Sequence, residues 1–350
     1  MNKQKILALR VVAVIIGVFF LVGVGNTQEG WNLQLEPMYM GVAGNNNHLA
    51  SITTSSGSSS VTTTQNFNLG GNGTFRGQLE YMPEDWGVGI SGWWFDTSSS
   101  INQNLNSPVQ TNSYVSYSSN NFGLSAPPLN SGGTLNTAAR SSLGLWSFDA
   151  YGIKSLGEFQ NGRISMTFGA KFGGFNNSLS ESAYQSPSTS YYTYYNGVSS
   201  TTYSSVGGAG NSVNSNFLVG PSIGFNGSGK YGNNRLEGMI NQSVLIGNFS
   251  RKNSLVSQYW YSYSSFPINY PSSYSYPSVS SFSDSETVAI PVTEMKIKYL
   301  YDVTENLSLG LGFFASLWVD TPTPPAVQAN GQQYKTLVFY GGLGSINLRY

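Results

Sequence analysis

The chain ends in YGGLGSINLRY (residues 340–350), in which side chains alternate strictly between two faces. One face carries Tyr340, Gly342, Gly344, Ile346, Leu348 and Tyr350, and the other carries Gly341, Leu343, Ser345, Asn347 and Arg349. Successive side chains of a β-strand point to opposite sides of the sheet. A strand that is apolar, aromatic or small on one face therefore suits a wall between lipid and water.

The same two-residue alternation recurs in about nine earlier segments, so we predict about ten antiparallel strands. It is clearest over residues 163–172, where Phe168 and its apolar neighbours alternate with Lys171 and other polar or small residues. Polar segments separate these strands, and short connections alternate with long ones. Short turns are predicted at residues 83–85, 157–162, 227–234 and 302–306, and long Ser/Tyr/Asn-rich loops at 43–66, 97–142, 177–213, 250–286 and 319–335.

This sorting of connections by length is typical of transmembrane β-barrels, which have tight periplasmic turns and long extracellular loops. A soluble β-sandwich also alternates in polarity, but it has no reason to sort its loops by length. We therefore predict an all-β fold, with a single antiparallel transmembrane barrel over residues 30–350.

The composition agrees with a membrane location. Only 9% of the residues are charged, against about 25% in typical soluble domains. The chain has no cysteine, which excludes disulfides and thiolate metal sites. Its formal charge is zero, and removing Lys3, Lys5 and Arg10 leaves the acidic residues in a small excess. Such a balance argues against nucleic acid as a partner.

The N-terminal segment is typical of a secretory signal. Basic residues precede an apolar run over residues 11–22, and Gly23 and Gly25 occupy the −3 and −1 positions of a cut before Asn26. A membrane-anchoring helix needs about 20 apolar residues, and this run is shorter. We predict a cleaved signal peptide over residues 1–25 and export to the Gram-negative outer membrane.

The polar faces of the strands carry the candidate site residues. A mid-depth Arg or Lys on the lipid face costs about 2–4 kcal/mol, so the charged side chains are expected to point into the lumen. The predicted lumen-lining residues are Arg76, Glu80, Asp149, Arg163, Lys171, Arg235, Glu237, Glu294, Lys296, Lys298 and Arg349.

Aromatic residues cluster near the short turns, as an interfacial belt requires. The predicted belt comprises Trp31, Tyr81, Trp86, Tyr299, Tyr301 and Tyr350. We also expect the terminal strand to be read by the outer-membrane assembly machinery, through Tyr340, Ile346, Leu348 and Tyr350.

Catalysis has little support in the sequence. The single histidine, His48, lies in the polar stretch GNNNHLAS, and nothing around it resembles a nucleophile motif. Acidic residues near the loop ends, such as Asp96 and Asp320, are scattered singly. We expect no enzymatic activity, no metal and no cofactor.

Several segments resemble the Legionella-type family of major, pore-forming outer-membrane proteins. SFDAYGIKSLGEFQNGRISMTFGAKFGGFNNS (residues 147–178) is similar to that family's central hairpin, with Asp149 and the stretch 169–172 in the matching places. NFLVGPSIGFNG (residues 216–227) resembles its Gly-Pro-x-x-Gly strand, and residues 292–320 resemble its penultimate hairpin. The terminal aromatic strand is also similar to the ends of bacterial outer-membrane barrels. The resemblance implies an outer-membrane barrel that acts as a porin.

Two functions remain open on the sequence. The first is a narrow, porin-like passive pore for ions or small solutes, with the inward charges setting preference. The second is a surface adhesion or structural protein whose barrel is plugged by side chains, since barrels of about 8 strands are filled and open porins have about 16 to 18. Expected partners are outer-membrane lipid, lipopolysaccharide and the assembly machinery, and self-association into a homo-oligomer is left open.

Overall fold

The computed structural model describes residues 30–350 with gaps at 45–46, 57–58, 68, 84, 107–113, 120–124, 130–133, 160, 195–196, 267–271 and 324–333. The predicted signal peptide therefore lies outside the described residues. Among the residues described, no helix has the length and apolar character needed to cross a membrane.

The protein is a closed antiparallel barrel, which confirms the predicted fold class. The strands of the described residues are β1 (Trp31–Ala43), β2 (Asn47–Ser56), β3 (Ser59–Phe67), β4 (Asn72–Tyr81), β5 (Trp86–Asn106), β6 (Tyr114–Ser119), β7 (Ser125–Leu129), β8 (Thr134–Phe159), β9 (Gly162–Tyr194), β10 (Gly197–Tyr231), β11 (Asn234–Phe266), β12 (Ser272–Asp302), β13 (Leu307–Pro322) and β14 (Tyr334–Arg349). Ten of them form the ring, in the order β1-β14-β13-β12-β11-β10-β9-β8-β5-β4.

The first and last strands close the ring. β1 pairs with β14 in the register Leu33↔Leu348, and β14 pairs with β13 on its other side. At the short-turn end, the Trp31 amide donates to the Tyr350 carbonyl at 3.1 Å, and the Tyr350 amide donates to the Trp31 carbonyl at 3.0 Å. The terminal strand is therefore paired along both sides, and the ring has no open edge.

An apolar belt surrounds the barrel. Its side chains are exposed although they are hydrophobic: Ile223 is 50% exposed, Ile240 47% and Ile297 53%. Across this belt, the outward-facing residues that the structure describes on β9 to β14 carry no charge. An apolar exterior of this kind is stable only against lipid, so the barrel spans a membrane.

The predicted aromatic belt lies at the short-turn rim. The rings of Trp31 and Tyr81 pack 4.7 Å apart, and Lys154 lies 4.5 Å from the ring of Trp86. The tyrosines Tyr299, Tyr301 and Tyr350 are each at least half exposed. Aromatic rings at this level suit the boundary between hydrocarbon and headgroups.

The long connections differ from the prediction, because most of them are strand rather than loop. β9, β10 and β11 run for 33, 35 and 33 residues, whereas about 9–11 residues cross a membrane. The described residues of the segments 177–213 and 250–286 consequently continue the barrel wall. The sharp apolar–polar alternation ends in these segments because the wall there lies beyond the lipid, while Thr, Tyr and Val still favour strand.

Two further connections build a second sheet. β2 and β3 lie between β1 and β4, and β6 and β7 lie between β5 and β8. Together they form a four-stranded sheet in the order β3-β2-β6-β7. The predicted loops 43–66 and 97–142 therefore contain two short antiparallel strand pairs, β2 with β3 and β6 with β7, which are joined by the pairing of β2 with β6. Their Ser-, Thr- and Pro-rich sequences lack the apolar–polar alternation that predicts the other strands.

Substituting a lipid-facing residue tests the orientation of the wall. Phe313 lies on the lipid face of β13 and is 46% exposed. Phe313→Arg is expected to lower the free energy of unfolding by about 2–4 kcal/mol, because it places a charge in hydrocarbon. The matched control is Ser285→Arg on β12, which is exposed and lies above the apolar belt. Urea-induced unfolding of the refolded protein in lipid vesicles measures both. Equal effects of the two substitutions would contradict the lipid-facing assignment.

Candidate functional site: the barrel interior

With the short turns at the bottom of the barrel, an apolar layer fills its interior above the level of Glu36 and Lys171. It is built from inward-facing side chains on nearly every strand of the ring. Its buried members are Met38, Met40, Leu69, Trp93, Phe95, Leu143, Leu145, Phe175, Val213, Leu218, Leu245, Phe249, Ile290, Val292, Phe314, Trp318, Leu337, Phe339 and Leu343. Aromatic rings pack across the bore, with Trp93 against Phe314 at 5.4 Å and Phe95 against Phe339 at 5.4 Å.

The burial of this layer means that the barrel is filled at this level. Trp318, Phe314 and Phe339 are 0% exposed although they point inward. A water-filled bore would leave the inner ends of such side chains in contact with water. Rings packed edge to face at this spacing instead make the contacts of a protein core.

An ionic cluster lies directly below the apolar layer, and Glu36 is its centre. The Glu36 carboxylate accepts a hydrogen bond from Arg76 at 2.8 Å. It also forms ion pairs with Lys296 at 3.0 Å and Lys298 at 3.2 Å. All four side chains are at most 7% exposed. Three strands, β1, β4 and β12, are therefore joined through one carboxylate.

A second ionic group lies beside the first, around Lys171. Its ammonium pairs with Asp149 at 2.6 Å and with Glu294 at 2.9 Å. The indole of Trp93 donates to the other oxygen of Glu294 at 2.9 Å. Buried charges are stable only when they are paired and hydrogen-bonded. Trp93 thus connects the ionic cluster to the apolar layer above it.

The rim at the short-turn end holds a third set of charges. Asp302 pairs with Lys230 at 2.8 Å and with Arg349 at 3.5 Å, and it accepts a hydrogen bond from Ser308 at 2.7 Å. Arg235 pairs with Glu237 at 2.8 Å. These contacts tie the last residues of the chain to the neighbouring strands.

A polar cavity of about 220 Å³ lies between this rim and the ionic cluster. Its lining includes Glu80, Arg163 and Glu237, and it reaches Lys296. Because Lys296 belongs to the Glu36 cluster, the cavity ends where the buried ion pairs begin.

Polar groups return above the apolar layer, outside the membrane. Arg251 pairs with Glu286, which also accepts a hydrogen bond from the Tyr334 hydroxyl at 2.8 Å. Burial raises the pKa of Glu181 to about 8, so this carboxyl is mostly protonated at neutral pH. The filled interior therefore continues into the part of the barrel that extends beyond the lipid.

The structure brings most of the predicted lumen residues together. Arg76, Asp149, Lys171, Glu294, Lys296 and Lys298 are buried in the ionic cluster. Glu80 accepts a hydrogen bond from the hydroxyl of Tyr151 at 3.0 Å. Arg163 and Arg349 lie at the rim with side chains 31% exposed. Glu36 was missed as a site residue, although it shares the inward face of β1 with Gln34.

The residues predicted as an assembly signal lie on the lipid side of the terminal strand. Tyr340 is 45% exposed, Ile346 40% and Tyr350 61%, and Leu348 shares their face. The side chain of His48 lies outside the described set. Within the part of the chain that the structure describes, no group of three or more His, Asp or Glu side chains is arranged to hold a metal ion.

The closed ring, its apolar belt and its interfacial aromatics define an outer-membrane-type β-barrel. No family model and no curated protein matches the chain. Among solved structures, the outer-membrane protease OmpT of Escherichia coli is similar at a TM-score of 0.42 and 13% identity, over 93% of this chain and 97% of OmpT.

Two further solved structures are similar at lower scores. The toluene transporter TodX of P. putida has a TM-score of 0.22 and 10% identity, over 92% of this chain and 90% of TodX. The transport unit of the autotransporter AIDA-I from Escherichia coli has a TM-score of 0.25 and 13% identity, over 92% and 91% of the two chains. At these similarities, the activities of the three proteins do not bear on this one.

Removing Glu36 tests the ionic cluster. Glu36→Gln is expected to lower the free energy of unfolding by about 3–5 kcal/mol, because it leaves buried cations without their counter-charge. The control is Glu158→Gln: Glu158 is 75% exposed and lies 3.9 Å from Arg163, so its loss is expected to cost less than about 1 kcal/mol. Urea-induced unfolding in lipid vesicles compares the two, and a similar loss in both would contradict the central role of Glu36.

Proposed function

We propose that this protein is a surface-display protein of the Gram-negative outer membrane. Its side-chain-filled barrel acts as an anchor, and its extended strands present a contact surface to other cells or molecules. The observation that carries the proposal is the buried apolar layer over the ionic cluster. An interior packed in this way suits an anchor better than a channel.

The packed interior disfavours the narrow-pore hypothesis. Passage would have to cross both the apolar layer and the ion pairs of Glu36 and Lys171. A dehydrated apolar constriction opposes ions, and each buried ion pair would have to open for a solute to pass. The packing of the described residues therefore supports an anchor over a pore in which the inward charges select solutes.

The length of the strands supports display. β12 has 31 residues, and about 9–11 are needed to cross the membrane. At 3.3 Å per residue and a tilt near 40°, the remaining residues of β9 to β12 extend the wall by roughly 50 Å beyond the lipid. A long, hydrogen-bonded wall holds its outer end far from the membrane surface without flexible linkers.

The composition of the outer hairpins supports contact with a partner. Residues 186–204 and 259–276 are rich in Tyr and Ser. Tyrosine supplies a large contact area at low entropic cost, and serine supplies adaptable hydrogen bonds. This composition suits recognition of another surface better than solvation alone.

The proposal includes several further expectations. Residues 1–25 act as a cleaved signal, the terminal strand is read by the assembly machinery, and lipopolysaccharide surrounds the outer half of the barrel. No catalytic role is proposed, because nothing in the sequence around His48 resembles a nucleophile motif. Membership of the Legionella-type family stays a prediction.

Conductance in planar bilayers tests the filled interior. The refolded full-length protein is expected to give no discrete current steps at any salt concentration, because the apolar layer leaves no aqueous path. An open porin inserted by the same procedure is the positive control, and protease protection verifies that the barrel has inserted. Discrete steps from the wild-type protein would contradict the proposal.

Shortening the outer hairpins tests display. Asn-Gly turns replace residues 186–204 and 259–276, joining the cross-strand pairs Gln185↔Ser205 and Gln258↔Pro277. The shortened barrel is expected to insert normally and to leave outer-membrane permeability unchanged, while adhesion of expressing cells to one another and to host cells falls to background. Adhesion equal to that of the full-length protein would contradict display by these hairpins.

A further inference from the structure

The lipid-facing side of β11 and β12 carries a polar pair in the middle of the apolar belt. Gln242 and Thr293 are cross-strand partners, and the Thr293 hydroxyl donates to the Gln242 side-chain oxygen at 2.6 Å. Gln242 lies between Ile240 and Val244, which are 47% and 40% exposed to the lipid side. Its other neighbour across the sheet is Ile223 on β10. The pair is therefore surrounded by apolar side chains on the outer surface.

The pair is only partly satisfied. The amide nitrogen of Gln242 has two N–H groups. In the described part of the chain, one of them donates weakly, to the Ser243 carbonyl oxygen at 3.4 Å, and the other has no acceptor. Hydrocarbon offers no hydrogen-bond acceptor to such a group. A polar side chain at this depth is therefore stabilised by a partner that supplies a hydrogen-bond acceptor.

The surface next to the pair is rigid. Val244 pairs with Pro291 on β12, and Pro221 on β10 lies on the other side of Val244 and also faces outward. Proline and valine lose little or no side-chain freedom on burial. A protein that packs here therefore loses little side-chain entropy at these positions.

We propose that a second copy of this chain docks on this surface, which comprises Pro221, Ile223, Gln242, Val244, Pro291 and Thr293. The two copies are related by a two-fold axis that runs along the membrane normal close to Gln242. Such an axis brings residues of equal depth together and presents the same patch on both subunits.

Self-association fits this patch because the amide of glutamine is both a donor and an acceptor. In a two-fold dimer, the N–H of each Gln242 donates to the side-chain oxygen of Gln242 in the other copy, so both unsatisfied groups are paired at once. A different protein would have to present a matching amide at the same depth. Lipid tails carry neither a hydrogen-bond donor nor an acceptor. The dimer is independent of whether the barrel conducts.

Disulfide cross-linking tests the dimer, since the chain contains no cysteine. Val244→Cys leaves Gln242 unchanged in both copies and places a thiol beside the two-fold axis. Oxidation of outer membranes that contain the full chain is expected to convert most of this variant to a covalent dimer. Leu79→Cys, on the lipid face of β4 across the barrel, is the control and is expected to remain monomeric.

The role of Gln242 is tested by adding Gln242→Leu to Val244→Cys. The cross-linked fraction of the double variant is expected to be at least tenfold lower than that of Val244→Cys alone. The urea concentration at the midpoint of its unfolding is expected not to fall. Native mass spectrometry of the wild-type protein, released from nanodiscs, is expected to show twice the mass of one chain. A monomeric wild-type mass, or cross-linking that is equal in the single and double variants or in Leu79→Cys, would overturn the proposal.

Discussion

The constraint on which the structure depends is that every backbone N–H and C=O within hydrocarbon must be paired by the protein itself. A sheet with two open edges leaves two rows of these groups in lipid. Pairing of β1 with β14 removes both edges at once. The chain therefore has to bring its first and last strands together, and the strictly alternating terminal strand is the element that completes the ring.

Closure of the barrel also determines where the charged side chains lie. Because the lipid side excludes them, Arg76, Lys171 and Lys296 must share the interior, where desolvation is costly unless carboxylates neutralise them. Glu36 and Glu294 do so with short contacts. A one-residue slip of any of these strands would exchange its two faces and expose a buried charge to lipid. The ionic cluster thus fixes the register of the wall, and the apolar layer above it fills the remaining width.

The sequence was sufficient for the membrane-spanning part because lipid and interior impose opposite polarities on alternate residues. Phe168 and Lys171 could be assigned to opposite faces for this reason alone. The rule failed where the environment is the same on both faces, as in segment 177–213, whose described residues belong to β9 and β10. The alternation placed Leu343 on the face opposite the lipid, but it did not predict the buried apolar layer to which Leu343 and Leu245 belong. Their burial depends on contacts across the bore that no local pattern records, and the same is true of the role of Glu36.

Closure is tested most directly by a disulfide between the first and last strands of the ring. The lipid-facing residues Leu33 and Leu348 are cross-strand partners, at a spacing that a disulfide can bridge. The variant with cysteine at both positions is expected to form an intramolecular disulfide on mild oxidation in the membrane. The pair Leu33→Cys and Gly344→Cys, four residues out of register, is expected not to do so. Failure of the in-register pair to cross-link would contradict a barrel closed by β1 and β14.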